Sequence, residues 1–181
     1  LSRAIVLMRR DLVSPRGLEG LGVRTPLRAA PSPGADARRG APGSSLDVAT
    51  YFGGGDIDYS NEIALDAAGN IYLTGTTSAT DFPTSNGAQN AYGGGFSDAF
   101  VVKLDPTAST VLFASYLGGS GEDAGAGIAV DAAGAVYVVG MTTSTNFPIA
   151  GAAVRQTLGG ERDGFMAKLN ASGSALTLST Y

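Results

Sequence analysis

The chain has 181 residues, 44% of them hydrophobic, and a formal net charge of −4, which leaves enough apolar material for a folded core. It contains neither cysteine nor histidine. This composition excludes disulfide bonds, thiol nucleophiles, histidine bases and zinc sites built from His or Cys. No apolar run approaches the roughly 18 residues of a transmembrane helix, so we expect no membrane span.

The first region, residues 1–44, differs from the rest in charge and composition. Residues 1–45 hold eight of the 12 basic residues and three of the 16 acidic ones, hence +5, and the remainder carries −9. The stretch "RTPLRAAPSPGADARRGAPGSS" is rich in Pro, Ala, Arg and Gly without a strand or helix period, which predicts a disordered arm. Its arginines are not interleaved with aromatic residues, so we expect no nucleic-acid binding. "AIVLM" is too short for the apolar part of a signal peptide.

The rest of the chain is a repeat. Tyr51, Tyr116 and Tyr181 are spaced 65 residues apart, and "DAAGNIYLTG" (66–75) returns as "DAAGAVYVVG" (131–140) at the same offset. A fixed long period is typical of stacked supersecondary units. The repeated segment therefore indicates architecture before it indicates a reaction.

One period contains four predicted strands. They are rich in β-branched and aromatic residues and are separated by Gly, Pro, Asp and Ser. Their predicted bounds are 61–66, 71–76, 98–104 and 110–116. "DAAG" between the first two predicts a hairpin turn, in which Gly69 and Gly134 supply a positive φ.

These strands are apolar on both faces, which predicts a sheet that is covered on both sides. Four-stranded antiparallel sheets covered by copies of themselves are the blades of a β-propeller, and we prefer this fold to a β-solenoid, which needs a shorter period. The prediction is an all-β propeller fragment with two four-stranded antiparallel blades, at 53–116 and 117–181. An orphan outer strand of a preceding blade, at 45–52, follows the disordered arm. Two blades do not close a propeller, so we expect further blades of the same parent chain as partners.

The repeat resembles the SBBP family of bacterial β-propeller repeats. The resemblance is carried by "YFGGGDIDYSNEIALDAAGNIYLTGTTSATDFP" (51–83), by its partner "YLGGSGEDAGAGIAVDAAGAVYVVGMTTSTNFP" (116–148), by "SDAFVVKL" and by "NASGSALTLSTY", and it extends over 46–181. It implies a secreted or surface-exposed bacterial protein built from many such repeats, with no activity assigned to the repeat. "IALDAAGNIYLTG" is also similar to NHL-type propeller repeats, whose period is shorter.

The repetition argues against catalysis. An acid and a base need different environments, whereas residues copied at equal spacing have equivalent ones, and nearly every polar candidate is copied. We therefore expect a non-catalytic scaffold. One alternative is that the chain is part of a propeller enzyme, a hydrolase or a lyase, whose site lies in missing blades.

Recognition is the function that the loops favour. In an antiparallel blade the long loop 77–97 and the glycine-rich loop 53–60 emerge on one face, which we call the long-loop face. The two copies differ most there, as is usual for a recognition surface on a repeated scaffold. An extracellular protein or a glycan is the expected ligand, and a structural spacer without ligand is another alternative. The candidate binding residues are Tyr92, Phe96, Arg155 and Arg162.

Calcium is the only cofactor that the sequence suggests. "GGSGED" (118–123) matches the start of the calcium-binding nonapeptide but occurs once per unit instead of every nine residues. Carboxylates on the long-loop face offer the hard oxygen ligands of Ca²⁺. Aspartates that accept backbone hydrogen bonds in their own turns are the favoured interpretation, so we expect no bound cofactor. The candidate ligands are Asp56, Asp58, Asp98, Glu122, Asp123 and Asp163.

Overall fold

A computed structural model describes residues 4–8 and 48–181, with side chains described for 48–181. These residues form ten β-strands and no helix, so this part of the chain has no helix that could cross a membrane. The strands are β1 (Ala4–Met8), β2 (Val48–Phe52), β3 (Asp58–Leu65), β4 (Ile71–Thr77), β5 (Asp98–Leu104), β6 (Val111–Leu117), β7 (Asp123–Val130), β8 (Val136–Thr142), β9 (Asp163–Leu169) and β10 (Leu176–Thr180).

The strands β3 to β10 form two antiparallel sheets of four strands each. The first has the order β3-β4-β5-β6 and the second β7-β8-β9-β10, so each strand pairs with its neighbours in sequence. We call these sheets blade 1 and blade 2. The predicted all-β fold with two four-stranded antiparallel sheets is confirmed, and the four predicted strands of one period correspond to β3 to β6.

The first strand of blade 1 begins earlier than the sequence pattern predicts. β3 starts at Asp58 instead of Asn61, because Asp58, Tyr59 and Ser60 continue the ladder with the end of β4. An irregularity in the register separates these three residues from Glu62 onward. A bulge of this kind interrupts the alternation of apolar residues on which strand prediction relies. Asp58 therefore lies at the start of β3, opposite the last residue of β4.

The repeated "DAAG" segment forms the predicted hairpin turn in both blades. Asp66 accepts hydrogen bonds from the backbone N–H groups of Ala68 (3.0 Å) and Asn70 (2.9 Å). Gly69 has a φ of 82°, and Gly134 has the same value in the second copy. This left-handed conformation favours glycine over residues with a Cβ atom, which explains why the turn recurs with glycine in place.

Blade 1 is buried on both faces, as its apolar strands predict. Residues 71–75 of β4 and 98–102 of β5 are buried without interruption. β7 of blade 2 lies across β3, β4 and β5, and the side-chain amide of Asn61 donates a 2.7 Å hydrogen bond to the carbonyl oxygen of Gly125. A Cβ atom at Gly125 would collide with the Thr74 hydroxyl. Blade 2 thus covers one face of blade 1.

The predicted orphan strand is β2, which pairs with β1 in a two-stranded sheet. β1 lies within the segment 1–44 that the sequence predicts to be disordered. The rest of that segment, including the Pro- and Arg-rich stretch, lies outside the described residues. The predicted boundaries of the four regions stay predictions.

Candidate functional site

The structure assembles the long-loop face that the alternation of strands predicts. Asp58 at the start of β3 pairs with Thr77 at the end of β4, and Thr77 pairs with Asp98 at the start of β5. The loops that precede β3 and β5 therefore emerge at the same end of the strands of blade 1. Because blade 2 repeats this register with Asp123, Thr142 and Asp163, its corresponding loops also emerge together at one end of its strands.

An open cleft lies at this end of blade 1, among the loops of the long-loop face. It has a volume of about 220 Å³. Phe96 is 76% exposed and Tyr59 is 60% exposed, so two aromatic rings at the cleft are in contact with solvent. Its lining residues are Ile57, Tyr59, Thr76, Ser78, Phe96 and Ser97.

Blade 2 does not repeat the residues that line the cleft. At the offset of 65 residues, Phe96 is replaced by Glu161 and Tyr59 by Ala124. Ile57 and Ser97 are replaced by Glu122 and Arg162, whose side chains form an ion pair at 3.3 Å. The aromatic surface of blade 1 thus corresponds in blade 2 to a charged surface that carries an ion pair.

The four predicted binding residues do not come together in one site. Phe96 lines the cleft. Tyr92 instead packs edge-on against Tyr116, with ring centroids 5.7 Å apart, and donates its hydroxyl hydrogen to the carbonyl of Gly95. Arg155 and Arg162 lie in blade 2, where both form ion pairs: Arg162 with Glu122, and Arg155 with Asp163 at 3.8 Å.

Ile57 and Tyr59 are cleft residues that the sequence analysis misses. Ile57 directly precedes β3 and Tyr59 is its second residue, and the sequence pattern places the start of this strand three residues too late. A comparison of the two copies position by position carries the signal that finds them, because apolar residues at 57 and 59 are replaced by Glu122 and Ala124. Such replacements mark positions that the fold leaves free to vary.

Four of the predicted metal ligands occupy one structural role. Each is the first residue of its strand and accepts a hydrogen bond from the backbone N–H of a glycine four or five residues earlier. The pairs are Gly54 with Asp58 (2.8 Å), Gly93 with Asp98 (2.7 Å), Gly119 with Asp123 (2.7 Å) and Gly159 with Asp163 (2.6 Å). The glycine loops and the strand starts are therefore tied together by carboxylates.

Three of these carboxylates are buried. Asp98 and Asp123 have no exposed surface, and Asp58 is 3% exposed. Burial raises the pKa of Asp98 to about 7, the N–H of Gly93 opposes this rise, and the neighbouring Asp123 carboxylate adds to it. Burial also raises the pKa of Asp58.

The six predicted ligands do not form a single cluster. Asp56 is exposed and bonds the backbone N–H of Ile57, and Glu122 is held by Arg162. Within residues 48–181 no group of three or more acidic side chains is arranged to hold a metal ion. The five aspartates among them accept backbone hydrogen bonds near their own strand starts, and calcium binding stays a prediction.

A second polar cluster is structural. Asp66 accepts a hydrogen bond from the Tyr72 hydroxyl (3.1 Å) and lies 3.8 Å from Lys103 Nζ, which stands over the Tyr72 ring. The same three contacts recur in blade 2 with Asp131, Tyr137 and Lys168. Because the cluster is copied and fixes the first hairpin to the third strand, we assign it to folding.

Comparison with protein families identifies the repeat. Residues 49–83 and 112–148 match the family model described as SBBP, beta-propeller repeat. No significant match to a curated protein was found. The matched segments begin in β2 and β6 and run through the first two strands of the following blade. Their ends, residues 83 and 148, are 65 residues apart, which is the offset seen in the sequence. The chain therefore carries two SBBP beta-propeller repeats, and its sheets are propeller blades.

Proposed function

We propose that the chain is a non-catalytic scaffold of a secreted or cell-surface bacterial protein that binds an extracellular protein or a glycan through its long-loop face. The cleft of blade 1 is the observation that carries this proposal. It exposes Phe96 and Tyr59 beside the hydroxyl groups of Thr76, Ser78 and Ser97. Exposed aromatic rings with adjacent hydrogen-bonding groups are typical of recognition surfaces.

The difference between the blades supports the same conclusion. Positions needed for folding are copied, as the Asp66 and Asp131 clusters are. The cleft positions are not copied, and blade 2 fills two of them with the ion pair of Glu122 and Arg162. A solvent-exposed phenylalanine does not contribute to the blade's own core, so its presence is better explained by a ligand.

The chemistry of the cleft favours binding over catalysis. Its lining contains four hydroxyl side chains but no carboxylate, lysine or arginine. It therefore lacks the pair of groups with separated pKa values that acid–base catalysis requires. A hydrolase or lyase whose site lies in other blades is the alternative, and a structural spacer is the third.

A binding screen with one substituted residue tests the proposal. The chain and its Phe96→Glu variant are applied to immobilised glycans and extracellular proteins; glutamate is the residue at the equivalent position 161. Val154→Glu is the matched control, because Val154 is 95% exposed in the corresponding loop of blade 2. We expect a ligand that binds the wild type and the control but binds Phe96→Glu about tenfold or more weakly.

Three results would change the assignment. A ligand that binds all three proteins equally would move recognition away from the cleft. Failure of the wild type to bind any immobilised molecule would favour the structural spacer. Chemical conversion of a bound glycan or protein, followed by mass spectrometry, would favour the enzyme alternative.

A further inference from the structure

Two glycine loops meet where blade 1 and blade 2 join. The loop 118–121 leads from β6 to β7, and the loop 93–95 precedes β5. A Cβ atom at Gly93 would lie 2.6 Å from the carbonyl oxygen of Gly119 and 2.7 Å from that of Gly118. Side chains are thus excluded, and the two backbones run in direct contact. We call this place the junction.

Two buried carboxylates converge on the junction. A Cβ atom at Gly118 would lie 2.6 Å from Asp98 Oδ1 and 2.8 Å from Asp123 Oδ2. Asp98 belongs to blade 1 and Asp123 to blade 2, and both are fully buried. The Oδ2 atom of each accepts a glycine N–H, at Gly93 and Gly119 respectively.

The other carboxylate oxygens have no partner. The Oδ1 atoms of Asp98 and Asp123 are both buried and make no hydrogen bond. Within residues 48–181 the four ion pairs involve other carboxylates, so no lysine or arginine there balances either charge. By contrast, Asp163, which starts β9 as Asp98 starts β5, lies 3.8 Å from Arg155.

Uncompensated buried charge is costly. Removing a carboxylate from water is unfavourable when one of its oxygens lacks a partner, and two carboxylates at one place repel each other in addition. Protein interiors therefore pair such groups or use them to coordinate a metal. At the junction the unpartnered Asp98 Oδ1 converges with the Asp123 carboxylate, and a cation bound between the two would compensate both groups.

We propose that Asp98 and Asp123 bind a Ca²⁺ ion that links the two blades. Ca²⁺ accepts carboxylate, backbone carbonyl and water oxygens in irregular arrangements. The junction supplies two carboxylates from its aspartates, and the carbonyl oxygens of Gly118 and Gly119 lie nearby, against Gly93. With only two acidic ligands, the expected dissociation constant is in the range of about 0.1–1 mM that is typical of extracellular modules.

Terbium luminescence tests the site directly. Tb³⁺ replaces Ca²⁺ at oxygen sites and emits when a nearby tyrosine is excited. The chain has no tryptophan, and Tyr92, which packs edge-on against Tyr116, directly precedes Gly93. We expect tyrosine-excited emission from the full 181-residue chain, displaced by millimolar Ca²⁺, and lost in Asp98→Asn and in Asp123→Asn. Asp163→Asn is the matched control and should keep the emission.

A second measurement protects the test against misfolding. Circular dichroism verifies the β-structure of each variant, and calorimetry of the wild type with Ca²⁺ reports binding without any substitution. A wild type that gives no tyrosine-excited emission and no heat with Ca²⁺ overturns the proposal. Emission that persists in both Asp98→Asn and Asp123→Asn overturns it as well.

Discussion

One tyrosine per repeat ties the long loop to the last strand of its blade. The Tyr116 hydroxyl donates to the carbonyl of Ala79 (2.7 Å) and accepts from the N–H of Phe82 (2.9 Å). Tyr181 makes the same two bonds with Ser144 (2.7 Å) and Phe147 (3.1 Å). The tyrosine that first marks the period in the sequence is thus conserved between the copies for a structural reason.

Removing this hydroxyl should destabilise blade 1. In Tyr116→Phe the buried N–H of Phe82 and carbonyl of Ala79 lose their partner, which costs about 1–3 kcal/mol. Urea unfolding followed by circular dichroism measures the loss. Tyr92→Phe is the control, because the Tyr92 hydroxyl bonds an exposed loop carbonyl, and it should change the free energy of unfolding much less. Equal effects of the two substitutions would contradict the assigned role.

Residues that both copies of the repeat share can be predicted from the sequence more readily than residues that occur in only one copy. Gly69 and Gly134 could be assigned to a turn because the conformation is local and its residue preferences are strong. Phe96 could be nominated only as a loop residue. The cleft around it depends on Ile57 and Tyr59, which reach it through a bulge and a register that no local pattern encodes.

The hairpin between β5 and β6 is organised by Asp105. Its carboxylate accepts bonds from the N–H groups of Ser109 and Thr110 (both 2.8 Å) and from the Thr107 hydroxyl (2.6 Å). These bonds, with the Thr107 hydroxyl first, lower the pKa of Asp105 to about 2. Asn170 stands at the same position in blade 2 and uses its amide oxygen instead, which shows that the hairpin tolerates the neutral residue.

Asp105→Asn should therefore change how stability depends on pH. The folded-state pKa is lowered, so the carboxylate's stabilising contribution is complete above its ordinary pKa of 3.8 and is lost as pH falls toward about 2. We expect wild type to melt higher than Asp105→Asn at pH 6, and the difference in melting temperature to shrink below the ordinary pKa of 3.8 and to be lost as the pH falls through about 2. A constant difference over this range would contradict a titrating role for Asp105.

Strand content follows from local pattern, whereas strand ends follow from pairing. Runs of β-branched and aromatic residues predict β4 and β5 almost to the residue. β3 begins early because residues 58–60 pair with the end of β4. The sequence pattern does not predict β1, because its apolar run is short and stands alone. Its pairing with β2 is what makes it a strand.

The two blades differ in how one equivalent face is covered. In blade 1, Thr74 and Val101 are fully buried, and β7 packs on β4 and β5. Their equivalents in blade 2, Val139 and Met166, are paired across β8 and β9 and are 48% and 37% exposed. The open apolar face of blade 2 matches the need of a propeller repeat for a further blade.

We expect this face to cause self-association of the isolated chain or a partly molten state. Exposed apolar faces of packed sheets commonly lead to association. The double substitution Val139→Thr and Met166→Ser, in which threonine is the residue found at position 74, should lower the average mass measured by light scattering. Val154→Ser is the control for an exposed apolar loop residue. A monomeric wild type with a cooperative thermal transition would contradict the prediction.

The cleft, the buried carboxylate pair and the open face all depend on how blade 2 lies against blade 1. Ser97 of blade 1 and Glu122 of blade 2 form a bridge beside the cleft, where the Asp123 N–H donates to the Ser97 carbonyl at 2.8 Å. The chain has no cysteine, so a pair introduced at 97 and 122 can form only one intramolecular disulfide.

Cross-linking of Ser97→Cys with Glu122→Cys is the most direct measurement of this packing. Bridge partners lie within the Cα separation of about 4.4–6.8 Å that disulfides require. We predict that mild oxidation of the double variant produces a monomeric cross-linked chain that migrates faster without reductant and has no free thiols. Retention of both thiols, or cross-linking only between chains, would contradict the packing of the two blades.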